Sequence, residues 1–225
     1  MLRKPHTIVL TVLVFSAIAP RLVYTYTGPR GEHFEQLRTK PPDWISANYE
    51  GLVAAMQRDS YSWTPLMIAA AGHDNPDMIS TLIGLGQSVA ARSLNGWTAL
   101  MFAAAFNPEP EVVAALLDAK ADPDERSRDA WAALLGAARY TGENLRFDDI
   151  SLAGVGGSPR GWTPLFFAAR FNTEPRVVEL LITAGADPAA RDEHGRTPVF
   201  YARRHNPSDA VIERLEALEK ESGQS

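Results

Sequence analysis

The sequence predicts an all-α solenoid of stacked helix-turn-helix units, and two observations carry that expectation. Tryptophan recurs at a near-fixed interval. Trp63, Trp97 and Trp131 lie 34 residues apart, Trp162 follows after 31, and Arg196 takes the same slot after another 34. The flanking residues recur with it, as Ser62-Trp63-Thr64-Pro65-Leu66, Gly96-Trp97-Thr98-Ala99-Leu100, Gly161-Trp162-Thr163-Pro164-Leu165 and Gly195-Arg196-Thr197-Pro198-Val199. Self-similarity at such a period marks units that bury a shared core by stacking.

Residues 1–23 come first and differ from the rest. Arg3 and Lys4 precede an almost wholly apolar run from Thr7 to Ala19. As a helix that run spans about 20 Å, short of a bilayer core of about 30 Å. A basic start with a short apolar stretch fits a secretory signal peptide. Ser16, Ala17 and Ala19 supply small residues for cleavage, but Pro20 disfavours it. A retained signal anchor is therefore the second outcome, with membrane attachment through residues 7–26. The chain is expected to be exported to the periplasm or cell envelope, free or anchored to the inner membrane.

Residues 28–60 are expected to form N-terminal capping helices. From Asp43 to Arg58, Ile45, Tyr49, Leu52, Val53 and Met56 share one helical face. Repeats then fill 61–218, as units of about 61–94, 95–128, 129–160, 161–194 and 195–218, and 219–225 is a polar tail. Within a unit, Thr before Pro reads as an N-cap followed by the first helical residue. Alanine pairs such as Ala69-Ala70 and Ala103-Ala104 let helices approach closely. A second helix begins near Pro76, Pro110 and Pro175, with buried stripes at Met78, Ile79, Leu82 and Ile83, at Val112, Val113, Leu116 and Leu117, and at Val177, Val178, Leu181 and Ile182. Gly86 and Gly185 suit the left-handed residue past a helix end, and Lys120 takes that place at some cost. The third unit is degenerate, with Ala132-Ala133 where Thr-Pro belongs, an unclear second helix, and Gly154 to Ser158 after it. The stack is expected to be weakest there, between about Asp129 and Arg160. Val211, Ile212 and Leu215 continue the stripe in the last unit, with charged residues facing water as a cap requires.

These motifs resemble the ankyrin repeat, with its turn, two antiparallel helices and Thr-Pro-Leu start. The match runs from about Tyr61 to about Leu218. Where the family has histidine after Thr-Pro-Leu, this chain has Met67, Met101, Leu135, Phe166 and Phe200, so apolar packing is expected there. The 34-residue period resembles that of bacterial members. The resemblance implies that partners bind a concave face lined by the residue before each threonine and the two after each alanine pair. Those slots place a partner-binding set at Trp63, Trp97, Phe106, Trp131, Arg139, Tyr140, Trp162, Arg170, Phe171, Arg196, Arg204 and His205. Two roles stay open for the tryptophans: an exposed aromatic stripe for a partner, or rings packed on one another in support of the stack. The arginines favour an acidic or carboxylate-bearing partner.

Nothing in the sequence points to catalysis. The chain has no cysteine, and no two of its five histidines lie four residues apart. That removes thiolate chemistry and a helical two-histidine metal face. The glycine run lacks the Lys of a phosphate-binding loop. No metal, cofactor or catalytic residue is expected. A net charge of −5 argues against nucleic acid. The expectation is a monomeric, non-catalytic scaffold that binds a protein partner in the envelope, with a membrane-anchored structural spacer as the alternative and an enzyme third.

Overall fold

The computed structural model describes residues 29–56, 62–93, 96–128 and 160–222. Among them are ten helices and no strand. A pair comes first, α1 (Pro29–Thr39) and α2 (Pro42–Met56), followed by α3 (Pro65–Gly72) and α4 (Asp77–Gly84). The remaining pairs are α5 (Ala99–Phe106) with α6 (Pro110–Asp118), α7 (Pro164–Phe171) with α8 (Pro175–Thr183), and α9 (Pro198–His205) with α10 (Asp209–Ser222). The first helices pack in a row, α1 on α3, α3 on α5, α5 on α7 and α7 on α9, and the second helices form a parallel row from α2 to α10. The core lies between the rows, as the stripe residues require: Met78, Ile79, Leu82, Val112, Val113, Leu116, Val177, Val178 and Leu181 are all fully buried. The alanines between the first helices are buried as well, from Ala69 to Ala202.

Local chemistry sets the helix ends. Thr64 and Thr98 hold extended N-cap backbone and accept the amide hydrogens of Met67 and Met101. Thr163 and Thr197 hold the same backbone without that side-chain bond. The second helices are followed by left-handed residues at Gly86 (φ 93°), Gly185 (φ 106°) and Lys120 (φ 68°). Only Lys120 bears the Cβ penalty there. The last helix runs to Ser222, into the stretch expected to be a polar tail.

Three asparagines, absent from the expected pattern, tie the layers. Asn107 Nδ2 donates to the carbonyls of Ala70 and His73, both at 2.9 Å. Asn172 Nδ2 donates to Ala104 (3.0 Å) and Asn107 (2.8 Å), and Asn206 Nδ2 to Ala169 (2.9 Å) and Asn172 (2.7 Å). Each sits just past a first helix and reaches back one layer. His73 starts the ladder: its Nδ1 accepts from the Asn75 amide, so Nε2 donates to the Lys40 carbonyl in the connection between α1 and α2.

This ladder corrects the place of the third unit. Asn172 reaches Asn107 and α7 packs directly on α5, so no layer built from 129–160 lies between them. The turns give the reason. Ser93 N donates to Trp97 O (2.9 Å) and Gly96 N to Ser93 O (2.9 Å). Asp192 and Arg196 repeat this pair of bonds, with Gly195 N donating to Asp192 O. Ser127 makes the same two bonds to Trp162 and from Gly161, across 35 positions instead of four. The added residues are thus an insertion in a turn. Residues 129–159, with the weakness expected there, lie outside the described residues. Turn arginines span the junction: Arg92 pairs with Glu125 and donates to Arg126 O, while Arg126 donates to Gly161 O and Arg191 O.

Candidate partner-binding surface

The tryptophan column is largely not a surface. Trp97 is 1% exposed and Trp162 is fully buried, while Trp63 is half-buried. Each ring packs on an aromatic of the following layer. Trp63 meets Phe102 at 5.5 Å, Trp97 meets Phe167 at 4.4 Å, and Trp162 meets Tyr201 at 4.6 Å between ring centroids. The bonded turns before Thr98 and Thr163 swing the indoles of Trp97 and Trp162 under the next first helix. Of the two roles open to these residues, burial leaves Trp97 and Trp162 the packing role. Trp131, Arg139 and Tyr140 lie outside the described residues.

Arg196 fills the tryptophan slot where no further repeat follows among the described residues. Its guanidinium lies over its own Phe200 (5.7 Å) and Tyr201 (5.1 Å) rings. Its Nε donates to the buried Asp192 carboxylate at 3.1 Å, and Tyr201 Oη donates to the same oxygen at 2.6 Å. Burial alone favours a neutral Asp192. The Tyr201 hydroxyl, the Arg196 and His194 amides and the Arg196 charge outweigh it and hold the carboxyl below its usual range. Burial and the Asp192 bond push the Tyr201 hydroxyl up. Arg196 is therefore committed to closing the last turn. Phe200 also departs from the pattern. Met67, Met101 and Phe166 are buried under the next layer as expected, but Phe200 is 41% exposed. Leu135 lies outside the described residues.

The slots after the alanine pairs do form a surface. Phe106 and Phe171 are half-buried with ring centroids 6.1 Å apart. Arg170 is mostly buried and lies over the Phe171 ring at 5.1 Å. Burial lowers its pKa to about 10, partly offset by Tyr201, so it stays charged at neutral pH. Arg204 is exposed and His205 half-buried, its ring stacked on Tyr201 at 6.4 Å. Burial, then Arg170 and Arg204, depress His205 to about 4, so it is neutral at pH 7. At the other end Arg38 of the capping pair drapes over Gly72, where an added Cβ would lie 3.2 Å from its Cδ.

The structure therefore brings Phe106, Phe171, Arg204 and His205 to one face, and takes Trp97, Trp162, Arg170 and Arg196 into packing. Sequence reasoning missed Arg38 and Asp192. Arg38 lies outside the repeats, so periodicity carries no signal for it. Asp192 shares a register with Ser93 and Ser127, and a carboxylate in that slot is a visible departure. Among the described residues, no three His, Asp or Glu side chains converge as metal ligands.

Known families account for the arrangement. The model "Ankyrin repeats (3 copies)" matches residues 46–127, and "Ankyrin repeat" matches residues 160–193. The gap between the matches falls on the insertion that the stack excludes. No curated protein matches the chain. Paired helices in two rows, bonded turns at the three junctions from α4 to α9 and these family matches on both sides of the insertion make the chain a member of the ankyrin-repeat family.

Proposed function

We propose that this chain is a non-catalytic scaffold that holds a protein partner in the cell envelope through its first-helix face, the concave face of the family. Ankyrin repeats serve protein–protein interaction in general. What supports this particular face is the pair of half-buried rings, Phe106 and Phe171, on a face that also carries the exposed Arg204 and small residues such as Ala71 and Gly72. Aromatic and arginine side chains dominate interface energetics. A photo-crosslinking residue at Phe106, in the native host, should give a covalent adduct. The same residue at Asp118, exposed on the second-helix row, should not. No adduct from position 106, or equal yields from both, overturns the choice of face.

Export rests on Arg3, Lys4 and the apolar stretch to Ala19. No helix among the described residues is long and apolar enough to cross a membrane. A reporter that works only outside the cytoplasm, fused after Gly51, should be active; an inactive fusion with intact protein in the cytosol refutes export. The same apolar stretch favours a second reading, a spacer anchored to the membrane that stabilises a neighbouring envelope protein. High-salt washing distinguishes them, because an anchored chain stays with the membrane.

A further inference from the structure

We propose that the first-helix face takes an acidic protein segment, a carboxylate against the exposed Arg204 and an apolar side chain on the Phe106–Phe171 rings. This rests on that face being the binding surface.

Charge is segregated between the two rows. The chain carries a net charge of −5. Yet the four first helices of the repeats, α3, α5, α7 and α9, contain no Asp or Glu, and three arginines. The four second helices contain nine acids against three bases. Of the three arginines, Arg203 is turned to Glu216 at 2.7 Å. Arg170 is buried over the Phe171 ring and adds its charge beneath the face, while Arg204 is exposed on it. Arg204 is exposed, so its planar fork is open to a carboxylate.

Distance decides what kind of anion fits. A helix is roughly 10 Å across, and charges are screened over about 8 Å at physiological salt. A short segment on the first-helix face therefore senses the arginines there far more than the acids behind them. A polyanion such as a nucleic acid extends past the face and meets the acidic row, where it is repelled. The apolar rings also favour a polypeptide that alternates carboxylate and apolar side chains.

The test is selection of randomised twelve-residue peptides displayed on phage against the full chain. Enriched peptides are then synthesised with a fluorophore and titrated by anisotropy. The expected result is enrichment of Asp or Glu next to an apolar residue, with binding weakened about tenfold or more by Arg204→Glu and by added salt. Lys220→Glu, on the last helix, should leave affinity unchanged. Enriched peptides without acids that still lose binding in Phe106→Ser overturn the acidic preference and leave the scaffold reading intact. Peptides bound equally by Arg204→Glu, an empty selection, or equal affinity for a single-stranded oligonucleotide also overturn it. Self-association abolished by Arg204→Glu would assign the face to a second copy. Binding that appears only after removal of 129–159 would assign it to this chain's own segment.

Discussion

Trp97 sits between Phe102 of its own layer and Phe167 of the next, at 5.1 and 4.4 Å. Truncating so large a core side chain costs about 3–5 kcal/mol. Trp97→Ala should lower the unfolding free energy by that amount in urea titrations, and a loss under about 1 kcal/mol would return the ring to the surface. The spacing of the tryptophans was legible, but their burial was not. Burial depends on a partner ring one layer on, and a binding stripe and a packing column have the same period. His205 carries a second residue-scale prediction. Its pKa is about 4 in the folded chain and about 6.5 when unfolded. The unfolded state therefore binds more protons between those values, and stability falls as pH drops from about 6.5 to about 4. The side chain is half-exposed, so the contribution is on the order of 1 kcal/mol. His205→Gln should flatten the stability profile in that window. An unchanged slope in the variant would show that the ring titrates alike in both states.

At the scale of elements, the helix pairs were readable because each is local: a Thr cap, a Pro start, an apolar stripe. The joints between pairs were not, because they are long-range bonds from residues with no special local pattern. Asn107, Asn172 and Asn206 illustrate this. Each follows the last residue of a first helix, a register visible in the sequence, but an asparagine there reads as an ordinary loop residue. In the structure each donates to two buried carbonyls of the layer before. Unsatisfied buried polar groups cost about 1–3 kcal/mol each. Asn172→Ala should then destabilise by about 2–4 kcal/mol, and faster amide exchange should appear on both sides of the α5–α7 joint. Exchange confined to α7 and α8 would mean that the bond does not couple the layers.

For the whole molecule, the period itself misled. An insertion of nearly one repeat length, with Trp131 and Ala137-Ala138 inside it, passes for a degenerate unit when repeats are counted along the chain. The bonds at Ser127 show that the stack closes without it. A variant joining Arg128 directly to Arg160 restores the four-residue turn of Ser93 to Trp97. It should unfold cooperatively and melt no lower than the full chain. Loss of the cooperative transition would mean that residues 129–159 are needed for the stack. Closing a turn over 35 positions rather than four costs only about 2 kcal/mol, since the entropy grows with the logarithm of length. The Ser127–Trp162 junction is thus a port. Chain of almost any length can leave and re-enter there while the pitch of the array is unchanged, so this one turn can gain or lose cargo without the neighbouring layers registering the difference.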